Sequence, residues 1–298
     1  MANKANDIER ILTERRIFVA GDSGRHATTL ISINAAVHSG RRLEIILPAF
    51  PAKSGNRRKT IAALPDLGEY LALSYLQDLC RRIGEIYEPG AVVRICSDGH
   101  VFADLVGITD ADVDAYGHAL GQMIADERFT SLSTYALRDY YGLQDNDRMR
   151  LLLKTEFAVG TEALKEETKS DPDRQAMFNG IHRFLFEDTL DMRPDWSRSK
   201  VRKVAKEAAW EVIRRSDAWS RLIAREFPGA ARLSIHPHTR NAAKLGIKLV
   251  DGGGPWATPW HNAVIRIGDS YQLIRRQDAD RLGAQLRFAE GKYAYFEL

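Results

Sequence analysis

The chain has 298 residues, 44% hydrophobic and 28% charged, enough to bury one large core or two smaller ones. Against 43 Lys and Arg stand 40 Asp and Glu, a net charge of +3 that excludes a polybasic nucleic-acid arm and an acidic disordered tail. Two cysteines, Cys80 and Cys96, exclude a disulfide framework, and no apolar run approaches the ~18 residues of a membrane-spanning helix. Met1 to Arg10 is polar and lacks the apolar core of a signal peptide. These features predict a reducing, cytoplasmic setting with no membrane contact.

In chain order, Ile8, Ile11 and Leu12 predict a short amphipathic helix within 7–17. Leu43–Leu47 is an apolar run between Gly40 and Pro48, the pattern of a buried strand. A polar, proline-flanked loop reaches Pro65. Asp66 then caps a helix, with Glu69 three residues on as in a capping box, and Pro89-Gly90 stops it. Ala91–Cys96 is a second buried strand, and Ser97-Asp98-Gly99 opens a loop that runs through Phe102, Asp104 and Asp110. A helix is predicted over 110–126, with Val113, Tyr116, Leu120 and Met123 on one face.

This alternation predicts an α/β fold with parallel crossovers. From about 147 to 227 the pattern is helical, divided at Asp171-Pro172 and Arg193-Pro194 and ended by Pro228-Gly229. Strands return at Leu233–Ile235, Ala263–Ile267, Tyr271–Ile274 and Tyr293–Phe296, with Gly268-Asp269 as a hairpin turn. The expectation is a single domain over 1–298 with a helical insertion, its C-terminal strands joining the same sheet.

Four segments carry candidate chemistry. Lys53, Arg57, Arg58 and Lys59 put four positive charges in seven residues, just after a strand, where open α/β sheets bind ligands. Phosphate or carboxylate binding is one reading, a solvated basic loop the other. Arg94 stands in an apolar strand, and Asp98 and His100 follow it. They suit proton exchange with a ligand, or an internal Arg–Asp pair. His236 and His238 share one side of an extended segment, with Lys244 and Lys248 beyond. Anion binding competes there with a purely structural role and with a metal reading that takes His261 as third ligand, although no carboxylate or cysteine sits at a familiar metal spacing. Finally, Trp256, Trp260 and His261 lie in a Gly- and Pro-rich loop that either walls an aromatic pocket or anchors on the sheet. Gly21-Asp-Ser-Gly24 is too short for a nucleotide fingerprint. His26, His38, His118 and His182 are isolated and read as surface or satisfied core. The basic segment 198–215 is interrupted by Glu207 and Glu211, which favours a solvated helix face over a nucleic-acid interface.

The strings LPAFPAKSGNRRKT, LPDLGEYLAL, ICSDGHVFADLVG, RLSIHPH and WATPWHNAV together resemble the pyoverdine/dityrosine biosynthesis family. Its bacterial members are isocyanide synthases, and a fungal dityrosine-pathway enzyme also belongs to it. The resemblance runs from about Ile45 to the C-terminus and is strongest over 45–110 and 232–265. It implies a Rossmann-like, mostly parallel sheet. It also implies a lyase-type reaction in which the amine of L-tyrosine or L-tryptophan becomes an isocyanide, the added carbon coming from C2 of ribulose 5-phosphate. No metal or organic cofactor is expected. A downstream iron- and 2-oxoglutarate-dependent oxygenase is an expected partner. On this reading Asp98, His100 and His236 carry protons, and Lys53 is an anion clamp or a Schiff-base lysine. Arg57, Arg94, His238 and Lys244 hold the substrate anions, Phe50, Trp256 and Trp260 enclose the substrate ring or exclude water, and His261 is a further substrate-binding residue. The competing expectations are a non-catalytic sugar-phosphate binding protein, a His-based metal hydrolase and nucleic-acid binding.

Overall fold

The structure, a computed structural model, describes residues 2–19, 24–142, 145–254 and 256–298. The chain divides into two units. The first comprises Met1–Ser97, Ala115–Tyr135 and Phe227–Leu298. The second comprises Asp98–Asp114 and Ala136–Glu226. The Gly21-Asp-Ser stretch weighed as a nucleotide fingerprint lies outside the described residues, as does Pro255 of the Gly- and Pro-rich loop.

The first unit opens with helices α1 (Ala2–Thr13) and α2 (Ala27–Ser39), then strand β1 (Leu43–Pro48), helix α3 (Leu67–Ile86) and strand β2 (Ala91–Cys96). Leu43, Ile45 and Leu47 alternate onto one face of β1 and are fully enclosed, as is Ile46 on the other. Helix α3 begins as its sequence demands: Asp66 accepts from Gly68 N–H and Glu69 reaches back to Asp66 N–H, a complete capping box. α3 packs against β2 on one side and against the C-terminal strands on another. Its buried residues therefore span more than one face, among them Leu67, Ala72, Leu76, Leu79 and Ile83.

Strand β3 (Leu132–Tyr135) follows α5 (Asp110–Asp126), and β4 (Ala231–Ser234) and β5 (Leu245–Gly246) complete a five-stranded sheet of order β3-β2-β1-β4-β5. Every pairing is parallel, with Ile46 beside Arg94 on one neighbour and Arg232 on the other. The order reverses direction between β1 and β4. In doubly wound sheets that reversal opens a crevice at the carboxyl ends of the two strands. The α/β, Rossmann-like expectation holds.

One expectation is corrected. Only β4 of the predicted C-terminal strands joins this sheet. β6 (Ala263–Ile267), β7 (Ser270–Ile274), β8 (Gln285–Ala289) and β9 (Tyr293–Glu297) form a separate sheet of order β7-β6-β9-β8. The β6–β7 pair is the predicted hairpin, turning at Gly268 in the left-handed region with φ 59°. Ala263, Ile265 and Phe296 pack with Ala279 of α11 (Arg276–Arg281), a small core of their own. Such a core removes the need to share the parallel sheet.

The second unit holds α4 (Gly99–Val106), the first residues of α5, and α6 (Leu137–Tyr141), α7 (Asn146–Phe157), α8 (Thr161–Ser170), α9 (Pro172–Met192) and α10 (Arg198–Glu226). Asp171 caps α9 and Pro172 is its first residue. Leu185 packs with Ala205 and Ala209 between α9 and α10. The segment after Gly99 is helix α4 rather than the expected loop. Arg150 binds the carboxylates of Asp110 and Asp147 and the His100 carbonyl. Arg215 binds Asp104 at 2.7 Å and the Val101 carbonyl at 2.9 Å. The end of the basic segment is thus built into the unit rather than solvated, and Lys200 lies 3.9 Å over the Trp196 ring. Among the described residues, no helix is long and apolar enough to cross a membrane.

Candidate active site

The loops leaving β1 and β4 meet the segment 250–262 at the carboxyl end of the parallel sheet. Phe50 is fully buried just beyond β1 with φ 56°, a left-handed conformation that a bulky residue holds only under local constraint. The constraint is visible. Its carbonyl accepts from Ser97 Oγ at 3.0 Å, and its ring lies 5.1 Å from that of Trp260, tilted by 51°. Ser54 N–H donates to the Trp260 carbonyl at 2.8 Å, tying the β1 loop to the short 3-10 turn Pro259–His261. Within the loop, Thr60 Oγ1 donates to the Ser54 carbonyl at 3.0 Å and Arg58 N–H to Asn56 Oδ1 at 3.0 Å.

The four basic residues of this loop separate. Lys53 and Lys59 are buried, whereas Arg57 and Arg58 are exposed. Arg57 Nη1 lies 3.2 Å from Thr60 Oγ1. Lys53 Nζ sits 2.8 Å from both Asp66 Oδ2 and Glu69 Oε2, and donates to the Pro259 carbonyl at 3.0 Å. Tyr116 OH donates to Glu69 Oε1 at 3.1 Å. Burial works against the Lys53 charge, but the two carboxylates outweigh it and hold the ammonium. Burial, with Glu69 beside it, pushes Asp66 up to about 7 in spite of Lys53.

Beyond β4, His236 N–H donates to Ser234 Oγ at 3.1 Å and the His236 ring lies 4.8 Å from Trp256. Gly246 on β5 lets the His236 backbone pass close to that strand, because a Cβ there would stand 2.3 Å from the His236 carbonyl oxygen. His26, fully buried at the N-cap of α2, bonds the Lys244 carbonyl through Nε2 at 2.9 Å and Thr29 Oγ1 through Nδ1 at 2.9 Å. Of the two readings its isolation allowed, surface or satisfied core, it is the second.

Three imidazoles in this region share one electrostatic state. Desolvation, then His238 and Lys244, lower His236. Desolvation, then Lys244, His26 and Arg232, lower His238 to about 4. Desolvation, then Lys59, His236 and Lys53, lower His261 to about 3. All three are neutral at pH 7. The neighbours that act on them are cations and other imidazoles, so the region favours a bound anion. His261 Nδ1 lies 3.1 Å from Thr258 Oγ1, which orients its ring. Among the described residues, no group of three His, Cys, Asp or Glu is arranged to hold a metal ion.

The two tryptophans play different parts. Trp260 is 1% exposed and packs on Phe50, whereas Trp256 is 56% exposed beside His236. Arg94 sits mid-strand, 3.2 Å from Glu44 and over the Phe227 ring at 4.9 Å. Its charge is met by an acid from the neighbouring strand and by an aromatic face. Asp98 and His100 belong to the second unit, at the N-terminus of α4. His100 is 6% exposed, its Nε2 lies 3.4 Å from Asp114, and desolvation lowers its pKa.

Sequence reasoning missed Asp66 and Glu69 as partners of Lys53, and Tyr116 as a partner of Glu69. The capping box was the available signal, but nothing in its spacing announces a second use for the same carboxylates. It also missed Arg232, whose alternation on β4 places it opposite Ile46, and Thr258.

Residues 33–286 match the sequence family described as pyoverdine/dityrosine biosynthesis protein. The chain is 41% identical over 270 residues to an L-tryptophan isonitrile synthase, AmbI2, of Fischerella ambigua, covering 91% of this chain and 82% of that one. It is 38% identical over 270 residues to an L-tyrosine isonitrile synthase of Pseudomonas aeruginosa, covering 89% and 82%. The crystal structure of the PvcA protein from Pseudomonas aeruginosa superposes with a TM-score of 0.92 at 35% identity, over 99% of each chain. The chain belongs to the pyoverdine/dityrosine biosynthesis protein family.

Proposed function

We propose that the protein is an isocyanide synthase that converts the amino group of L-tyrosine or L-tryptophan to an isocyanide, with C2 of ribulose 5-phosphate as the added carbon. One observation carries the reading. At the switch point of the parallel sheet, neutral His236, His238 and His261 stand among Lys244, Lys59 and Arg232. A sugar phosphate and an amino-acid carboxylate are both anions, and a field of this sign suits them.

The chemistry follows from the same charges. The amine must lose its ammonium proton before it attacks the sugar ketone, and His236 is the proposed acceptor, its lowered proton affinity restored once a bound anion offsets Lys244 and His238. Once protonated, His236 stands beside Lys244 and is a ready acid. It can return the proton to the carbinolamine hydroxyl, which leaves as water. The later cleavage of the sugar carbon chain is of retro-aldol type and needs a base at a hydroxyl. Asp98, His100 and His236 are the proposed proton carriers for it, and His261 borders the substrate.

His238, Lys244 and Arg57 hold the substrate anions. Arg94 is a further proposed cation, its charge shared with Glu44 at 3.2 Å. Trp256, open to solvent beside His236, covers the amino-acid ring, while buried Phe50 and Trp260 back it and exclude water. The whole chain acts as one synthase domain in the cytoplasm, and an iron- and 2-oxoglutarate-dependent oxygenase takes the product.

Incubation with each aromatic amino acid and ribulose 5-phosphate, followed by mass detection of the isocyanide, tests the reading. Product from tyrosine or tryptophan is expected. Binding of ribulose 5-phosphate with no product from any aromatic amino acid would replace the synthase with a sugar-phosphate binding protein.

A further inference from the structure

We propose that Lys53 is a positioning residue: clamped by Asp66 and Glu69, its ammonium forms a buried post that fixes the Pro259–His261 turn, and its amine does not bond to the sugar. The inference rests on the reading that Trp260 and His261 border the substrate.

An ammonium has three donors, and three acceptors surround this one: Asp66 Oδ2 and Glu69 Oε2, each at 2.8 Å, and the Pro259 carbonyl at 3.0 Å. The Lys53 side chain is 0% exposed. An imine there would need room for a sugar, and the attacking amine must first be neutral, which leaves two buried carboxylates without their counter-ion before any bond forms and is strongly unfavourable.

The acceptors are themselves fixed. Asp66 Oδ1 accepts from Gly68 N–H at 2.9 Å, Glu69 Oε2 from Asp66 N–H at 2.9 Å, and Glu69 Oε1 from Tyr116 OH at 3.1 Å. Gly68 lets the first turn of α3 press on the target, since a Cβ there would lie 3.2 Å from Pro259 Cβ and 3.3 Å from Val264 Cγ2. The post therefore runs from α5 through the start of α3 to the Pro259 carbonyl. The next residue, Trp260, is tied at its own carbonyl to Ser54 and at its ring to Phe50. Loss of the clamp frees the turn that carries Trp260 and His261.

The test keeps the amine and breaks the clamp. Glu69→Gln retains Lys53 but removes one of its two charges. The chain has five tryptophans, so Trp260 emission is isolated as the difference between each protein and the same protein carrying Trp260→Phe. Without substrate, Glu69→Gln and Lys53→Met are expected to shift that emission to the red as Trp260 gains solvent. Unmoved Trp260 emission in both variants would overturn the proposal. With substrates, Glu69→Gln is expected to lose at least 10-fold in kcat. A kcat within threefold of the parent, with Lys53→Met inactive, would point to the amine itself and overturn it. Borohydride with labelled ribulose 5-phosphate is expected to leave Lys53 unmodified, and a labelled Lys53 peptide would also overturn it. Absence of any isocyanide from the unmodified protein would remove the functional reading while leaving the emission arm to decide the role of Lys53.

Discussion

Gly246→Ala separates the geometry at His236 from the chemistry assigned to it. The added methyl would sit 2.3 Å from the His236 carbonyl oxygen and 3.1 Å from Pro237 Cα, both backbone atoms. Neither side yields easily. Gly246 accepts from Ile17 N–H at 2.9 Å, and its neighbour Ile247 donates to the Ser234 carbonyl at 2.8 Å. The strands must therefore part by roughly 1 Å, an overpacking strain worth about 1–3 kcal/mol. For a chain of this size that corresponds to a loss of Tm of about 2–5 °C. The displaced residue carries the proposed proton acceptor, and a misplacement near 1 Å costs about 100-fold in turnover. Gly84→Ala is the matched control, because a Cβ on that exposed helical glycine meets nothing within 4 Å. It should gain about 0.5–1 kcal/mol instead. Thermal melts and isocyanide production on both variants decide the matter. A Gly246→Ala protein that melts and turns over like the parent would refute both the packing argument and the place of His236.

Further expectations follow from the charges. His238 and His261 titrate in the folded protein at about 4 and about 3, below their unfolded value near 6.5. Between about pH 6.5 and 4 the unfolded chain then binds more protons, so their contribution is fully present above 6.5 and lost as the pH falls. Asp66, raised in the fold, acts in the opposite sense over pH 4–7. The measurement is accordingly a difference: His238→Asn should lose less Tm than the parent on acidification, and an equal loss would contradict the shift. A bound phosphate should raise the neutral histidines, so ribulose 5-phosphate binding at pH 7 should take up protons. Calorimetry in buffers of different ionisation enthalpy reads this, and zero uptake would contradict it. Lys244→Ala should raise the KM for ribulose 5-phosphate at least 10-fold, and an unchanged KM would remove Lys244 from the anion site. Asp98→Asn should cost at least 10-fold in kcat, and full activity would end its assignment to proton transfer.

Much of the first unit was legible because local rules and tertiary structure agree there. The capping box at Asp66 and Glu69, the buried runs at Leu43–Leu47 and Ala91–Cys96, and the Gly268-Asp269 turn each formed as their chemistry directs. Where they were not legible, tertiary burial decided. Helix α2 starts on a histidine cap that no motif flags, since His26 serves only because Thr29 and the Lys244 carbonyl meet its ring. Strand β8 is exposed along nearly its whole length and shows no alternation to read. Nothing in the spacing of 263–296 distinguishes a second sheet from an extension of the first, because the deciding contacts are those with α11. The site was legible as residue types and not as roles. Lys53 reads from its spacing as a cation of an anion-binding or solvated loop, whereas its burial depends on carboxylates 13 and 16 positions away. For Arg94 the sequence offers an internal Arg–Asp pair, but the partner is Glu44 on the neighbouring strand.

The most direct measurement is carbon tracing. Ribulose 5-phosphate labelled with ¹³C at C2 is incubated with the protein and L-tyrosine or L-tryptophan, and the isocyanide carbon is observed by NMR. Label in that carbon is the predicted result. An isocyanide formed without label, or no isocyanide from either amino acid, would contradict it.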